Sequence, residues 1–253
     1  MTEQLLSLRI LVVTRSDLPD LFRQAASISS IPIEILEAAD AAGAKRLIAS
    51  RVDGIDLAYL DAALLANEMT GMISAVRAAA KAPFTVHLAT GAAVEAFDAD
   101  ALAGMPARPE QARWLLERSI RVRLSSRVLV VDDSATMRSI VRKTLVATRF
   151  PLEVSEVEEG VAALKLVHGG DFHIVFLDYN MPGLSGLETL AEFKRVKRRV
   201  NVVLMTSTQD ETVAERARAA GAGFLKKPFF PADIETALCG FYGLRALNPK
   251  RGF

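Results

Sequence analysis

In the second half of the chain, short continuous runs of hydrophobic residues alternate with segments in which hydrophobic residues recur at helical spacing. Four short apolar runs, rich in Val, Ile and Leu, are typical of strands that are buried on both faces. These runs are RVLVVD at 127–132, HIVFLD at 173–178, NVVLMTS at 201–207 and AGFLKKP at 222–228. Apolar residues at helical spacing predict helices over 134–149, with Ser134 as N-cap, and over 158–168, 185–196, 209–220 and 231–245. Strands that alternate with helices indicate a parallel sheet with helices on both faces.

The first half of the chain repeats this pattern. RILVVTRSD at 9–17 corresponds to RVLVVDDSA at 127–135, the segment 43–61 aligns without gaps with 160–178, and 105–116 aligns with 227–238. Three matched segments in the same order predict two tandem domains, 1–122 and 123–253, each with a doubly wound parallel sheet. The first copy is five residues shorter between Ala89 and Met105 than the second is between Thr206 and Lys227. We therefore expect a shortened or missing helix in the first copy.

The composition narrows the class of protein without identifying a partner. Of 253 residues, 51% are hydrophobic, so a substantial core is expected. The single cysteine, Cys239, excludes an intramolecular disulfide, and the opening MTEQLLSLRI lacks the features of a signal peptide. No apolar run reaches bilayer length, and a formal net charge of +1 favours neither a nucleic-acid nor a membrane partner. We expect a soluble cytoplasmic protein.

Polar side chains with complementary chemistry stand at the ends of the predicted strands. They are Asp132, Asp133, Asp178, Thr206 and Lys227. Because the carboxyl ends of parallel strands share one edge of a sheet, these side chains should converge. Three carboxylates repel one another and suit Mg²⁺ or Mn²⁺, while a lysine and a hydroxyl can hold a phosphoryl group. The pattern therefore predicts phosphoryl transfer with a carboxylate as nucleophile.

The second half resembles the receiver domain of response regulators. The motifs VVDDS, FLDYNMPGLSG, MTS, AGA and KPF occur in family order, and the opening VVDDSATMRSIVRKTL most resembles the single-domain chemotaxis regulators. The resemblance implies two tandem flavodoxin-like folds, each with a parallel sheet of five strands. It also implies that Asp178 accepts a phosphoryl group from the phosphohistidine of a histidine kinase or a histidine phosphotransfer protein.

The resemblance assigns roles to the remaining residues of the predicted site. It implies that Mg²⁺ is bound by Asp132, Asp133, Asp178 and the backbone carbonyl of Asn180. Thr206 and Lys227 would hold the phosphoryl group. Phe224 stands where the family has a rotating aromatic side chain coupled to the Thr206 switch.

The corresponding positions in the first half lack this chemistry. Asp61 falls at the position of Asp178, but Thr14 and Arg15 replace the acid pair, Asp132 and Asp133. Ala89 replaces the threonine and Met105 the lysine. Without carboxylate partners we expect no Mg²⁺ site, and we predict that Arg15 forms a direct ion pair with Asp61. The first half is then a degenerate receiver, or pseudo-receiver; the alternative is that Asp61 is a second phosphoacceptor.

These assignments predict a signalling protein that acts through contact with an unknown downstream protein. The alternatives are a phosphate sink or shuttle without its own output, and a non-enzymatic scaffold. A phosphatase with an Asp nucleophile would usually carry a second Asp where Asn180 stands, so we expect catalysis of the protein's own phosphorylation and dephosphorylation only. Homodimerisation is an open alternative. Cys239 and Trp114 fall on apolar faces of the last helix of each copy, which favours a core position or an interaction face.

Overall fold

The computed structural model describes residues 7–29, 31–51, 54–64, 66–79, 81–90, 99–195, 200–208 and 210–246. The chain divides into two compact units. The first comprises the residues up to Arg123 together with the segment that begins at Tyr242, and the second comprises Leu124–Phe241. The predicted domains, 1–122 and 123–253, place the segment after Phe241 in the second half instead. No helix within the described ranges combines the length and apolar character needed to cross a membrane.

The first unit contains a five-stranded parallel sheet in the order β2-β1-β3-β4-β5. Its strands are β1 (Leu8–Val13), β2 (Ile33–Ala38), β3 (Leu57–Asp61), β4 (Phe84–Ala89) and β5 (Ala101–Gly104). Its helices are α1 (Leu18–Ser27), α2 (Ala41–Ser50), α3 (Ala66–Arg77) and α4 (Pro109–Ser119), followed by a 3-10 turn at Ile120–Arg123.

The second unit repeats this topology with the strand order β7-β6-β8-β9-β10. Its strands are β6 (Ser126–Val131), β7 (Leu152–Val157), β8 (Ile174–Asp178), β9 (Asn201–Thr206) and β10 (Gly223–Lys226). Its helices are α5 (Ala135–Ala147), α6 (Gly160–Gly169), α7 (Gly186–Arg195), α8 (Glu211–Ala219) and α9 (Pro231–Phe241). The predicted fold class, two tandem flavodoxin-like parallel sheets of five strands, is confirmed. The helix predicted to be shortened or missing in the first copy falls on residues 91–98, outside the described residues.

Each sheet buries apolar side chains on both faces, as the continuous apolar runs predict. In the first unit, Leu60 and Met72 belong to the core on one face, and on the other Phe22 of α1 stacks on Tyr59 of β3 with ring centroids 4.6 Å apart. In the second unit, Leu177 of β8 packs with side chains of α6, α7 and α8. Ser134 caps α5 as predicted, since its hydroxyl accepts a hydrogen bond from the Met137 amide at 3.3 Å.

The apolar pattern misses one strand of the second sheet. β7 lies at the edge of the sheet, where it pairs with β6, and it carries Glu153, Ser155 and Glu156 between its apolar residues. An edge strand needs less apolar surface than a central one, so its sequence lacks the continuous run that marks β6, β8 and β9.

The last helix ends four residues before its predicted end at 245. α9 stops at Phe241, and Gly243 has a φ of 69°. This left-handed conformation suits glycine and ends a helix. A side chain on Gly243 would also collide with Arg118 of α4. Trp114, on the same helix, is 52% exposed, and the Arg118 guanidinium lies 4.6 Å from the centroid of its ring. Cys239 is fully buried.

The segment after α9 completes the first unit. Tyr242 and Leu244 are 0% and 4% exposed. Arg245 and Leu102 exchange two backbone hydrogen bonds of 2.7 Å, which add an antiparallel bridge to β5 at the edge of the first sheet. Residues distant in sequence are therefore part of this unit's core.

We expect Leu244→Ala to lower the free energy of unfolding of the first unit by about 2–5 kcal/mol, because it removes a buried side chain and leaves a cavity. The measurement is urea unfolding followed by circular dichroism. Leu166→Ala is the matched control: this leucine is 40% exposed on α6, and its loss should change stability by about 0.5 kcal/mol at most. Equal effects of the two substitutions would contradict a structural role for the segment.

Candidate functional site

The parallel strands of the second unit bring the predicted site residues to one edge of the sheet. Asp132 and Asp133 follow β6, Asp178 ends β8, and Thr206 ends β9. Because β6, β8 and β9 are neighbours in register, their carboxyl ends lie side by side. Lys227 follows β10, and its backbone amide donates to the Thr206 carbonyl at 2.7 Å.

The side chain of Lys227 joins two of the carboxylates. Its Nζ donates to Asp132 Oδ2 at 2.7 Å and to Asp178 Oδ1 at 2.8 Å. Both carboxyl groups are almost fully buried, with side-chain exposures of 1% and 6%. The other oxygen of Asp132 accepts a hydrogen bond from the Ser134 amide at 2.9 Å. The three charged groups therefore form a tightly held cluster.

Burial and ion pairing act in opposite directions on these groups. Burial raises the pKa of Asp178, and the hydrogen bond from Lys227 opposes this shift. Burial also acts to lower the pKa of Lys227, but hydrogen bonds to Asp132 and Asp178 outweigh it, so the pKa of the lysine rises. The lysine is charged at neutral pH, and Asp178 carries the cost of an incompletely compensated buried carboxylate.

The carboxylates suit a divalent cation. Oxygen atoms of Asp132, Asp133 and Asp178 lie within 4.8 Å of one another, and Asp133 is exposed to solvent. Lys227 pairs with two of these three carboxylates, so the carboxylates together carry more negative charge than the lysine balances. Carboxylate oxygens are hard ligands of the kind that Mg²⁺ and Mn²⁺ prefer. Asn180, whose backbone carbonyl is the fourth predicted ligand, lies two residues beyond Asp178 on an exposed bend.

The two predicted switch residues share one face of the sheet. The fully buried Thr206 accepts a hydrogen bond on its hydroxyl from the Thr208 amide at 3.0 Å. Phe224 pairs in register with Leu204 and is half-buried against the core on that face. Because alternate residues of a strand point to the same side, Phe224 and Thr206 lie on one side of the sheet, one pleat apart.

Sequence reasoning missed two residues that shape the site. Gly186 approaches the main chain just after β8 so closely that a side chain would collide with the Asp178 carbonyl and with Tyr179. Arg138 of α5 donates to the backbone carbonyls of Asp132 and Asp133. The glycine lies within the recognised motif FLDYNMPGLSG, but a single arginine in a helix carries no signal of its own.

The corresponding site of the first unit is held together differently from the prediction. The Asp61 carboxylate accepts a 2.5 Å hydrogen bond from the Thr14 hydroxyl and a 2.8 Å bond from the Ala63 amide. The predicted ion pair between Arg15 and Asp61 is wrong: among the described residues Asp61 is held by these two donors, and Arg15 is exposed. A threonine at the end of β1 reaches the carboxylate at the end of the adjacent β3 directly, so no long side chain is needed.

Comparison with known proteins identifies the family of the second unit. Residues 128–239 match the model of the response regulator receiver domain. Chemotaxis protein CheY-3 of Vibrio cholerae serotype O1 is 32% identical over 115 residues, which cover 44% of this chain and 88% of that protein. Chemotaxis protein CheY of Pseudomonas aeruginosa is 31% identical over 106 residues, which cover 41% and 85%. The chain belongs to the response-regulator receiver family of two-component signalling.

A solved structure extends the likeness of fold over both units. The structure of a probable two-component system response regulator/GGDEF domain protein covers 93% of this chain and 98% of its own, with a TM-score of 0.54 and 19% sequence identity. This likeness concerns the fold alone. The family model matches residues of the second unit, so the degenerate receiver in the first half stays a prediction.

The first unit also holds a buried histidine that should make its stability depend on pH. Burial lowers the pKa of His87, and the charge of Asp61 opposes this shift. The folded state therefore disfavours the protonated imidazole, whereas a histidine in the unfolded chain has a pKa of about 6.5. His87 contributes stability above that pH, and the contribution is lost as the pH falls below it.

We expect the free energy of unfolding to decrease from about pH 7.5 to about pH 5 more steeply in the wild type than in His87→Leu. Urea titrations of both proteins across this range measure the two slopes. Parallel slopes would show that His87 is not responsible for the pH dependence.

Proposed function

We propose that the protein is a response regulator that accepts a phosphoryl group on Asp178 of the second unit, in a site that binds Mg²⁺. The observation that carries the proposal is the cluster at the strand ends, in which three carboxylates converge and Lys227 bridges two of them. Membership of the receiver family supports it.

The metal would be held by oxygen atoms of the residues already described. We infer ligands from Asp132, Asp133 and Asp178 and from the backbone carbonyl of Asn180, with Mn²⁺ as an alternative ion. When bound, the ion supplies positive charge that stabilises the oxygens of a transferring phosphoryl group.

The residues of the chain supply the nucleophile and the remaining charge. A carboxylate oxygen of Asp178 forms a bond to phosphorus while the bond between phosphorus and the imidazole nitrogen of the donor histidine breaks. That nitrogen keeps the electron pair and takes up a proton. Lys227, which is charged and already donates to Asp178, offers hydrogen bonds to the phosphoryl oxygens, and the Thr206 hydroxyl lies at the end of the adjacent strand.

The donor and the output follow from this chemistry. The donor is a histidine kinase or a histidine phosphotransfer protein. Catalysis is limited to the protein's own phosphorylation and dephosphorylation, since the position of a second catalytic acid is occupied by Asn180. Phosphate beside Thr206 alters the face that carries Phe224, and a downstream protein binds the altered face.

The first unit acts as a pseudo-receiver in this scheme. Asp61 has a hydroxyl and an amide as partners, and the acid pair is replaced by Thr14 and Arg15. A single carboxylate held by neutral donors lacks the charge needed to bind Mg²⁺ or to stabilise a transferring phosphoryl group.

Incubation with acetyl phosphate and Mg²⁺ should phosphorylate the wild type and Asp61→Ala, but not Asp178→Ala and not the wild type in EDTA. Gel electrophoresis with a phosphate-affinity matrix separates the modified protein from the unmodified one. Asp61→Ala is the matched control because it removes the aspartate at the corresponding position of the first unit. Modification of Asp178→Ala would show that the first unit is active, and failure of every sample, including one with a histidine phosphodonor, would contradict the proposal.

Lys227→Met, which introduces the residue found at the corresponding position 105, should separate phosphorylation from metal binding. We expect the phosphorylation rate to fall by about 100-fold or more, because a donor to the phosphoryl group is lost. Binding of Mg²⁺, measured by titration calorimetry, should become tighter, because the ammonium group no longer competes with the metal for Asp132 and Asp178. Weaker binding of Mg²⁺ would show that Lys227 organises the carboxylates instead of competing for them.

A further inference from the structure

Arg138 contacts the main chain of Asp132 and Asp133, the acid pair of the site, and not their carboxylates. It lies near the start of α5, and its side chain is only 11% exposed. Its Nη1 atom donates to the backbone carbonyl of Asp132 at 2.8 Å and is 3.3 Å from that of Asp133. One guanidinium group therefore spans the carbonyls of both residues whose carboxylates enter the site.

The other side of the guanidinium is anchored to the neighbouring edge of the sheet. Its Nη2 atom donates to Glu158 Oε1 at 2.7 Å, and its Nε atom lies 3.8 Å from Glu156 Oε2. Glu156 belongs to β7, and Glu158 lies in the turn that follows it. Arg138 thus ties the turn between β6 and α5 to the end of β7.

This arrangement requires the shape of a guanidinium group. Its planar fork presents several N–H donors at fixed angles, so it can hold carbonyl oxygens on one side and a carboxylate on the other. A lysine at this position would keep the charge but would lose the fixed geometry.

We propose that Arg138 is a positioning residue for the Mg²⁺ site, which fixes the turn from which the carboxylates of Asp132 and Asp133 project. The inference rests on the proposed function, because it assumes that these carboxylates bind Mg²⁺. Mg²⁺ demands near-ideal octahedral geometry at short distances, so a small displacement of two ligands weakens binding. Groups that orient metal ligands typically contribute about 10–100-fold to metal affinity.

The charge of Arg138 and its geometry have opposite effects on Mg²⁺, which makes the inference testable. By charge alone, removal of a cation beside the site should tighten Mg²⁺ binding. By geometry, its removal should weaken binding. Arg142 is the matched control: it lies one turn further along α5, where its Nε atom is 3.3 Å from Glu156 Oε1, and among the described residues it contacts neither Asp132 nor Asp133.

The experiment is titration of the 253-residue protein with Mg²⁺ in a calorimeter, without a phosphodonor. We expect the Kd of Arg138→Gln to rise by about 10-fold, and that of Arg142→Gln to stay the same or to fall. Arg138→Lys keeps the charge, so it should weaken Mg²⁺ binding by a smaller factor than Arg138→Gln. It replaces Arg138→Gln in the test if circular dichroism shows that Arg138→Gln does not fold.

The outcomes separate this inference from the proposed function. If the wild type binds Mg²⁺ and both Arg138 variants bind it as tightly or more tightly, Arg138 is not a positioning residue and the proposed function is unaffected. If the wild type itself gives no Mg²⁺-dependent heat and no Mg²⁺-dependent phosphorylation, both the proposed function and this inference are wrong.

Discussion

The ion pairs of Lys227 with Asp132 and Asp178 set the charge balance on which the site of the second unit depends. They join residues that are 95 and 49 positions apart in the chain, and the lysine follows an edge strand and reaches past β9 to the ends of β8 and β6. One ammonium group stabilises two buried carboxylates, but it cannot balance three. The three carboxylates therefore keep excess negative charge, which is the condition that favours a divalent cation.

In the first unit, the carboxylate at the corresponding strand end is held by neutral hydrogen-bond donors. Asp61 at the end of β3 is 6% exposed, and its carboxylate is satisfied by the Thr14 hydroxyl at the end of the adjacent β1 and by a backbone amide. These bonds are local to two neighbouring strands and require neither a lysine nor a metal. The same parallel sheet thus forms around an acidic cluster and around a single hydrogen-bonded carboxylate, so the fold and the chemistry are separable.

Residues without a chemical role still determine where the reactive groups lie. Gly186 allows the loop after β8 to fold back against the carbonyl of Asp178, and Arg138 holds the carbonyls of Asp132 and Asp133. In both cases the contact is made to the main chain, so the carboxylate oxygens of these residues remain available to bind a cation. A site of three like charges needs such support, because the carboxylates would otherwise relax away from one another.

The sequence by itself determined the alternation of strands and helices, the duplication of the fold and the set of side chains at the strand ends, since each follows from local periodicity and from the common edge of parallel strands. Tertiary structure decided which of those side chains touch. Lys227 contacts two carboxylates, and Asp61 bonds to Thr14 instead of Arg15, because side-chain reach across neighbouring strands selects the partner. Tertiary structure also decided that β7 forms an edge strand and that the segment beginning at Tyr242 completes the first unit. Neither segment has a continuous apolar run of its own, so each depends on contacts with residues elsewhere in the chain.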